Sequence, residues 1–317
     1  MKKFVFSYLT TLSKGESRQT ILLASVGRSG TTWLGNILSA LNGYKMLNEP
    51  LRPEDPAKYE ARYRHRPYVE ENDQAPRLKE KLERVFTGQV PRSYKWNFQS
   101  DGRLGMLLEH ARNRKVLVKS TRCLRILPWI HRTFNLRGTF ILIRHPCAVV
   151  SSMLESGGWG YDRLQQDGVS AFDQAVAEQA PTPLANRVRP DIDDTTTNAE
   201  ILAHIWALDY RVALTHHEDT EGQFSHQVTY ERLLTEGRQC VEDLCTFLGE
   251  EPNEDMLAQL SRPSRTASNQ LSTEDTTRQL RKWKDHLDEE TIDRVLSIVH
   301  SYDIDMYGPD PMPVPQE

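Results

Sequence analysis

Two short segments hold the residue types and spacings best able to do chemistry. In Ser25-Val26-Gly27-Arg28-Ser29-Gly30-Thr31-Thr32 a lone cation sits among small residues just ahead of a helical pattern. A turn of that kind aims backbone N–H groups outward with a helix dipole behind them, which makes a cradle for an anion. The second segment ends the apolar run Gly138 to Arg144, after which Pro146 opens another helical pattern that carries Ser152 two turns along. An arginine at a strand end and a serine on the following helix can bind phosphate through charge-assisted hydrogen bonds. The first loop departs from the nucleotide-kinase pattern G-x-x-x-x-G-K-[ST], because Ser25 replaces its first glycine and Thr31 its lysine. A kinase uses that lysine with magnesium to manage charge on the β- and γ-phosphates. Here the cation has moved forward to Arg28, which suits a nucleotide with one 5′-phosphate and a less charged group to transfer. A structural glycine turn, a surface ion pair for Arg144 and a solvated Ser152 are the plain alternatives.

These side chains need a scaffold, and the pattern of the chain supplies one. Ile21 to Val26 is a continuous apolar run ending in the glycine turn, as expected of a strand buried on both faces of a parallel sheet. Trp33, Leu34, Ile37, Leu38 and Leu41 then repeat at helical spacing, with Gly43 as a stop. Lys115 to Ser120, Gly138 to Arg144 and His226 to Tyr230 read as further strands. Arg103 to Arg112, Leu124 to Phe134, Pro146 to Leu154, Glu200 to His216 and Arg238 to Leu248 read as helices between them. This alternation predicts an α/β fold, P-loop-like and three-layered, whose mainly parallel central sheet is flanked by helices and gathers ligands at the carboxyl ends of its strands. The 317 residues are expected to form one domain, with acceptor-side insertions at 52–91 and 156–198 where charge, proline and glycine break the pattern. After a polar stretch from Ser261 to Gln279, a terminal helical region begins at Arg281-Lys282-Trp283-Lys284.

Composition narrows the partners. Hydrophobic residues make up 38% of the chain and charged residues 26%, and no run approaches the roughly 18 apolar residues of a spanning helix, so a soluble protein is expected. The opening MKKFVFSYLTTLSKGE lacks an A-x-A-like cleavage site and reads as mature, cytoplasmic chain. Cys123, Cys147, Cys240 and Cys245 contain no C-x-x-C pair and read as reduced thiols. Residues 1–150 carry 27 Lys/Arg against 12 Asp/Glu, whereas the remainder carries 13 against 32, a split that fits an anionic ligand on the basic half. The basic residues form no single aromatic-interleaved stripe, which argues against nucleic acid.

The motifs together resemble the sulfotransferases that use 3′-phosphoadenosine 5′-phosphosulfate (PAPS), in particular their carbohydrate and tyrosylprotein members. GRSGTTWL is similar to the 5′-phosphosulfate loop, FILIRHPCAVVSSML to the 3′-phosphate motif, VTYERLL to the family's Y-E-D-L segment with Arg232 in place of aspartate, and RKWKDHL, more loosely, to a late segment near the donor. The resemblance spans about Thr20 to Asp303 outside the insertions. It implies PAPS as co-substrate, with adenosine 3′,5′-bisphosphate as product and no metal required. It also implies donor binding by Gly27, Arg28, Ser29, Gly30, Thr31, Thr32, Trp33, Arg144 and Ser152. Trp33 has two readings, as core of its helix and, through the resemblance, as a partner of the adenine ring.

Transfer to a hydroxyl needs a base, cations for the sulfuryl oxygens and charge relief for the departing phosphate. Arg28 and the loop N–H groups suit the bridging oxygen. Lys119 matches a family lysine near the transferred group, with a structural ion pair as its alternative. Cytosolic members place a histidine where Thr121 stands here, so the base expected is Glu49 of Leu47-Asn48-Glu49-Pro50, which resembles the glutamate of an N/F-E-P-L segment. His65 and His110 are held in reserve. Tyr59, Tyr63, Tyr68, Tyr94, Trp96, Trp159 and Tyr161 could stack on sugar rings or anchor loops, and Arg62, Arg64 and Arg66 could meet an acidic acceptor or solvent. The expected activity is sulfuryl transfer to a hydroxyl of a carbohydrate or glycoconjugate. The rivals are a P-loop nucleotide or small-molecule kinase and a non-catalytic nucleotide-binding protein.

Overall fold

Ile21–Ser25 (β1) is apolar at four of five positions and buried throughout, which requires helices on both faces of the sheet that contains it. The computed structural model describes residues 15–51, 68–90, 94–98, 102–156, 196–261 and 273–315. After β1 come α1 (Thr31–Ser39), β2 (Tyr44–Asn48), α2 (Pro76–Phe86), β3 (Lys95–Asn97), α3 (Gly102–Arg112), β4 (Lys115–Ser120), α4 (Leu127–Thr133), β5 (Gly138–Ile143) and α5 (Pro146–Glu155). The chain then continues through α6 (Asn198–Asp219), β6 (Ser225–Thr229), α7 (Tyr230–Thr235), α8 (Gly237–Leu248), α9 (Glu254–Leu260), α10 (Thr273–Arg281) and α11 (Glu289–His300).

The sheet runs in the order β3-β2-β4-β1-β5-β6. All pairings are parallel except that of β3 with β2, which puts one antiparallel strand at the edge. The expected α/β architecture with a mainly parallel sheet is therefore the one observed, and the carboxyl ends of β2, β4, β1, β5 and β6 share one edge.

Alternate strand residues face opposite layers. Leu22, Val116, Val118, Ile141 and Ile143 point into a core built with α2, α4, α5, α6 and α11. Leu23, Leu117, Phe140 and Leu142 point into a second core built with α1 and α8. The helix α6 is apolar over most of its circumference and starts at a capping box in which Thr197 Oγ1 accepts from the Glu200 N–H while the Glu200 carboxylate accepts from the Thr197 N–H.

Two strands escape the sequence pattern. β2 is legible only as a short extended segment, because Lys45 breaks its apolar run; in the structure that lysine is fully buried, its ammonium on the His110 carbonyl and over the Trp96 ring. β3 is three residues of edge strand with no run to read. Within the expected first insertion, α2 buries Leu78, Leu82, Val85 and Phe86 in the main core. Residues 52–67, 91 and 157–195 of the two insertions lie outside the described residues, and with them His65, Arg62, Arg64, Arg66, Tyr59, Tyr63, Trp159 and Tyr161. Cys123, Cys147, Cys240 and Cys245 are buried free thiols. Among the described residues no helix is long and apolar enough to cross a membrane.

Candidate active site

The turn from β1 into α1 is shaped by two left-handed residues, Arg28 with φ 68° and Gly30 with φ 89°. Gly30 is required twice over, for that φ and because a Cβ would lie 2.5 Å from the Tyr230 ring. Arg28 has no such exemption, and a left-handed arginine is a cost accepted at this point of the chain. Thr31 and Thr32 open α1, where the first N–H groups have no acceptor within the helix. Gly27 and Ser29 complete the loop, and the Ser29 hydroxyl lies 3.3 Å from that of Tyr210.

The second turn follows β5, the strand beside β1. Arg144 crosses back to the first loop, where one of its terminal N–H groups donates to the Arg28 carbonyl at 2.8 Å. Its guanidinium lies 4.5 Å over the Tyr230 ring, and its Nε is buried with no hydrogen-bond partner among the described residues. From the other direction the Arg28 Nε–H donates to Ser152 Oγ of α5 at 2.9 Å. The two turns expected to hold opposite ends of a donor are thus bonded to each other.

The base of the second turn is rigid. His145 accepts from the Cys147 N–H through Nδ1, which leaves the proton on Nε2 to donate to the Gly308 carbonyl at 2.9 Å. Burial holds this ring down to about 4, consistent with a neutral imidazole. Trp283 of the late RKWKDHL segment stacks on it at 4.5 Å. Beneath, the Glu231 carboxylate, 2% exposed, receives the His145 N–H at 3.0 Å and the Tyr307 hydroxyl at 2.8 Å. Burial pushes the pKa of that carboxyl up.

A third cluster stands at the ends of β2 and β4. The register pairs Asn48 with Lys119, and the Glu49 N–H extends the ladder by donating to the Lys119 carbonyl at 2.8 Å. Glu49 itself turns off at φ 49°. Its Oε1 lies 3.3 Å from Lys119 Nζ, and its Oε2 accepts from both the N–H and the hydroxyl of Thr121 at 3.0 Å. Lys119, 7% exposed, also donates to Asn48 Oδ1 at 3.0 Å. Because β4 lies between β2 and β1, with Lys119 opposite both Asn48 and Leu23, this cluster sits directly beside the first loop.

Trp33 is 4% exposed, edge-on to Tyr230 at 5.9 Å and tied through Nε1–H to the Gln259 carbonyl. It packs within the α1 layer next to the first loop. His110 lies elsewhere, buried beside Lys45 toward the amino end of β2, where burial and that lysine hold it down to about 4. Of the described aromatics, Tyr94 and Trp96 pack against the main core near the β3 edge, and Tyr68 is half-buried, burial pushing its hydroxyl pKa up.

Sequence reasoning missed Thr121, Asn48, Glu231 and Tyr210. The strand order would have revealed Thr121, since the residues just past β2 and β4 must be neighbours. Asn48 and Glu231 stand in the Leu47-Asn48-Glu49-Pro50 and VTYERLL segments that carry the resemblance but have no role assigned there, and nothing in the sequence marks Tyr210.

No family model matches the chain, and no curated protein does. Among solved structures it is similar to the sulfotransferase domain from the Synechococcus PCC 7002 olefin synthase, at 18% identity, over 93% of this chain and 97% of that one, with a TM-score of 0.47. It is also similar to the sulfotransferase domain from the curacin biosynthetic pathway, at 18% identity, over 88% and 96%, with a TM-score of 0.44. A third is mouse sulfotransferase SULT7A1 complexed with PAP, at 13% identity, over 94% and 88%, with a TM-score of 0.46.

Proposed function

We propose that the carboxyl edge of the sheet binds PAPS and that the chain transfers its sulfuryl group to an acceptor hydroxyl on a carbohydrate or glycoconjugate. The observation that carries this reading is the Arg28–Arg144 pair. Both arginines are partly buried and each is bonded into the other's turn, yet neither forms an ion pair with a described residue. Other buried or partly buried arginines have a carboxylate partner, as at Arg125–Asp209, Arg137–Glu250 and Arg211–Asp303. Cationic charge left over beside a helix N-terminus suits an anion from outside. The Arg144 Nε, with no partner among the described residues, is a donor that such an anion would satisfy.

The roles follow from position. Arg144 and Ser152 hold the 3′-phosphate, and the loop from Gly27 to Thr32 holds the 5′-phosphosulfate, with the Trp33–Tyr230 pair walling the adenine. Arg28 offsets charge on the bridging oxygen, and Lys119 faces the sulfuryl oxygens. Glu49 takes the acceptor proton. All the groups turned on its carboxylate are donors, as an ionised acid requires, and its Oε1 makes only the longer contact to Lys119. In the step itself the acceptor oxygen bonds to sulfur, its proton passes to Glu49, and the sulfur–oxygen bond to the 5′-phosphate breaks. The products are a sulfate ester and adenosine 3′,5′-bisphosphate. The four buried thiols suit a reducing, cytoplasmic setting.

Incubating the chain with PAPS labelled in sulfur, against panels of saccharides, phenols and alcohols, tests this reading. Label on saccharide hydroxyls is expected. Transfer confined to phenols or small alcohols would overturn the acceptor class, and transfer of phosphate from ATP in place of sulfate would overturn the chemistry.

A further inference from the structure

Three polar-tipped side chains leave one face of α6. Trp206, Asp209 and Tyr210 stand at i, i+3 and i+4, the spacing that stacks residues on the same side of a helix, and all three are buried. Each reaches the carboxyl edge. The Trp206 Nε1–H donates to the Arg144 carbonyl at 3.1 Å. Asp209 pairs with Arg125, in the turn that follows Lys119 and Thr121. The Tyr210 hydroxyl reaches both the first loop and β5.

That hydroxyl is a saturated node, since a phenolic oxygen has one proton and two lone pairs. Its proton goes to the Leu142 carbonyl at 2.6 Å, and the Val26 N–H donates to it from 3.2 Å. With the proton committed, the Ser29 hydroxyl 3.3 Å away must be the donor in that contact. One oxygen therefore ties the start and the middle of the first loop to a point on β5 two residues before Arg144.

We propose that this face of α6 is the positioning frame of the site, fixing the first loop, the Arg144 turn and the β4 turn relative to one another, with Tyr210 as its central member. Trp206, Asp209 and Tyr210 touch no reacting atom in this scheme; they act through the residues they hold. Packing alone would not need the hydroxyl, because the Trp206 and Tyr210 rings meet at 4.6 Å and a phenylalanine would keep that contact. That the framed turns hold PAPS rests on the proposed function; that they are framed does not.

Tyr210→Phe separates the hydroxyl from the ring, and Leu82→Ala on α2, in the main core, serves as a control for general destabilisation. Hydrogen exchange needs no ligand. Amides 26–30 of Tyr210→Phe are expected to exchange at least about tenfold faster than in the parent, the scale of one lost hydrogen bond, while Leu82→Ala leaves them alone. Binding of adenosine 3′,5′-bisphosphate is expected to weaken in Tyr210→Phe by about the same factor. Should Tyr210→Phe fail to fold, Trp206→Phe is read at the His145 amide, where faster exchange is again expected. Parent-like exchange in the variant that folds, or the same local effect in Leu82→Ala, overturns the frame. A parent protein that binds no bisphosphate would count against the donor reading instead, and the exchange rates would still decide the frame.

Discussion

The two ends of the central sheet hold their ionisable side chains differently. Toward the amino end, His131 Nδ1 and His216 Nε2 lie 2.8 Å apart, a contact that two imidazoles make only when one donates and the other accepts. Burial, then the neighbouring His216, holds His131 down to about 3. Nearby on the same half of the sheet, burial lowers Lys45 to about 8. At the carboxyl end Arg28, Arg144, Lys119 and Glu49 gather at strand ends, and Arg28 and Glu49 hold left-handed backbone. Backbone strain at ionisable residues does not stabilise a fold, and the function proposed for the carboxyl edge would account for it there.

The contrast breaks most visibly at Glu49. Glu49→Gln keeps the shape of the cluster and removes the base, so turnover with PAPS should fall about 10²–10⁴-fold while adenosine 3′,5′-bisphosphate still binds. Steady-state rates beside a binding titration check this, and near-normal turnover would remove Glu49 from the mechanism.

Next comes Arg144→Ala, which removes the guanidinium proposed to bind the 3′-phosphate. The bisphosphate should bind about 10²-fold more weakly by calorimetry, whereas His216→Gln, at the other end of the sheet, should bind it as the parent does.

The amino end should show itself in pH. His131 and His110 protonate near 6.5 when unfolded but only near 3 and 4 when folded. The unfolded chain therefore takes up more protons as pH drops below about 6.5, and stability falls from there until the folded values are reached. Each histidine contributes up to about 1.4 kcal/mol per pH unit, less where solvent reaches it. Urea unfolding between pH 7 and 5 measures the slope, and His131→Gln should flatten it.

The smallest effect is strain at the first loop. Arg28→Gly and Arg28→Ala both lose the contact to Ser152, but only glycine accepts φ 68° freely, so the glycine variant should be more stable by about 1 kcal/mol. Equal urea midpoints would mean the loop relaxes without cost.

Much of this contrast is legible in the amino-acid sequence alone. The buried apolar runs of β1, β4 and β5 and the helical spacing after them reveal the α/β fold and the carboxyl edge where ligands are expected, and the first loop and the Arg144 turn follow. β2 and β3 stay hidden, because a buried lysine and a three-residue edge strand carry no apolar run. Tyr210 lies 184 residues from the Val26 N–H it receives, and Glu231 lies 86 from the His145 N–H. Such partnerships depend on strand order and helix rotation, which periodicity does not encode. Thr121 shows the same limit: unsuited to be a base itself, it supplies two of the hydrogen bonds that hold the proposed one.

The most direct test is a calorimetric competition between adenosine 3′,5′-bisphosphate and ATP with magnesium on the intact chain. One-to-one binding of the bisphosphate, at least about tenfold tighter than ATP, is the result expected of a PAPS site. Tighter binding of ATP with magnesium, or no binding of the bisphosphate, would contradict it.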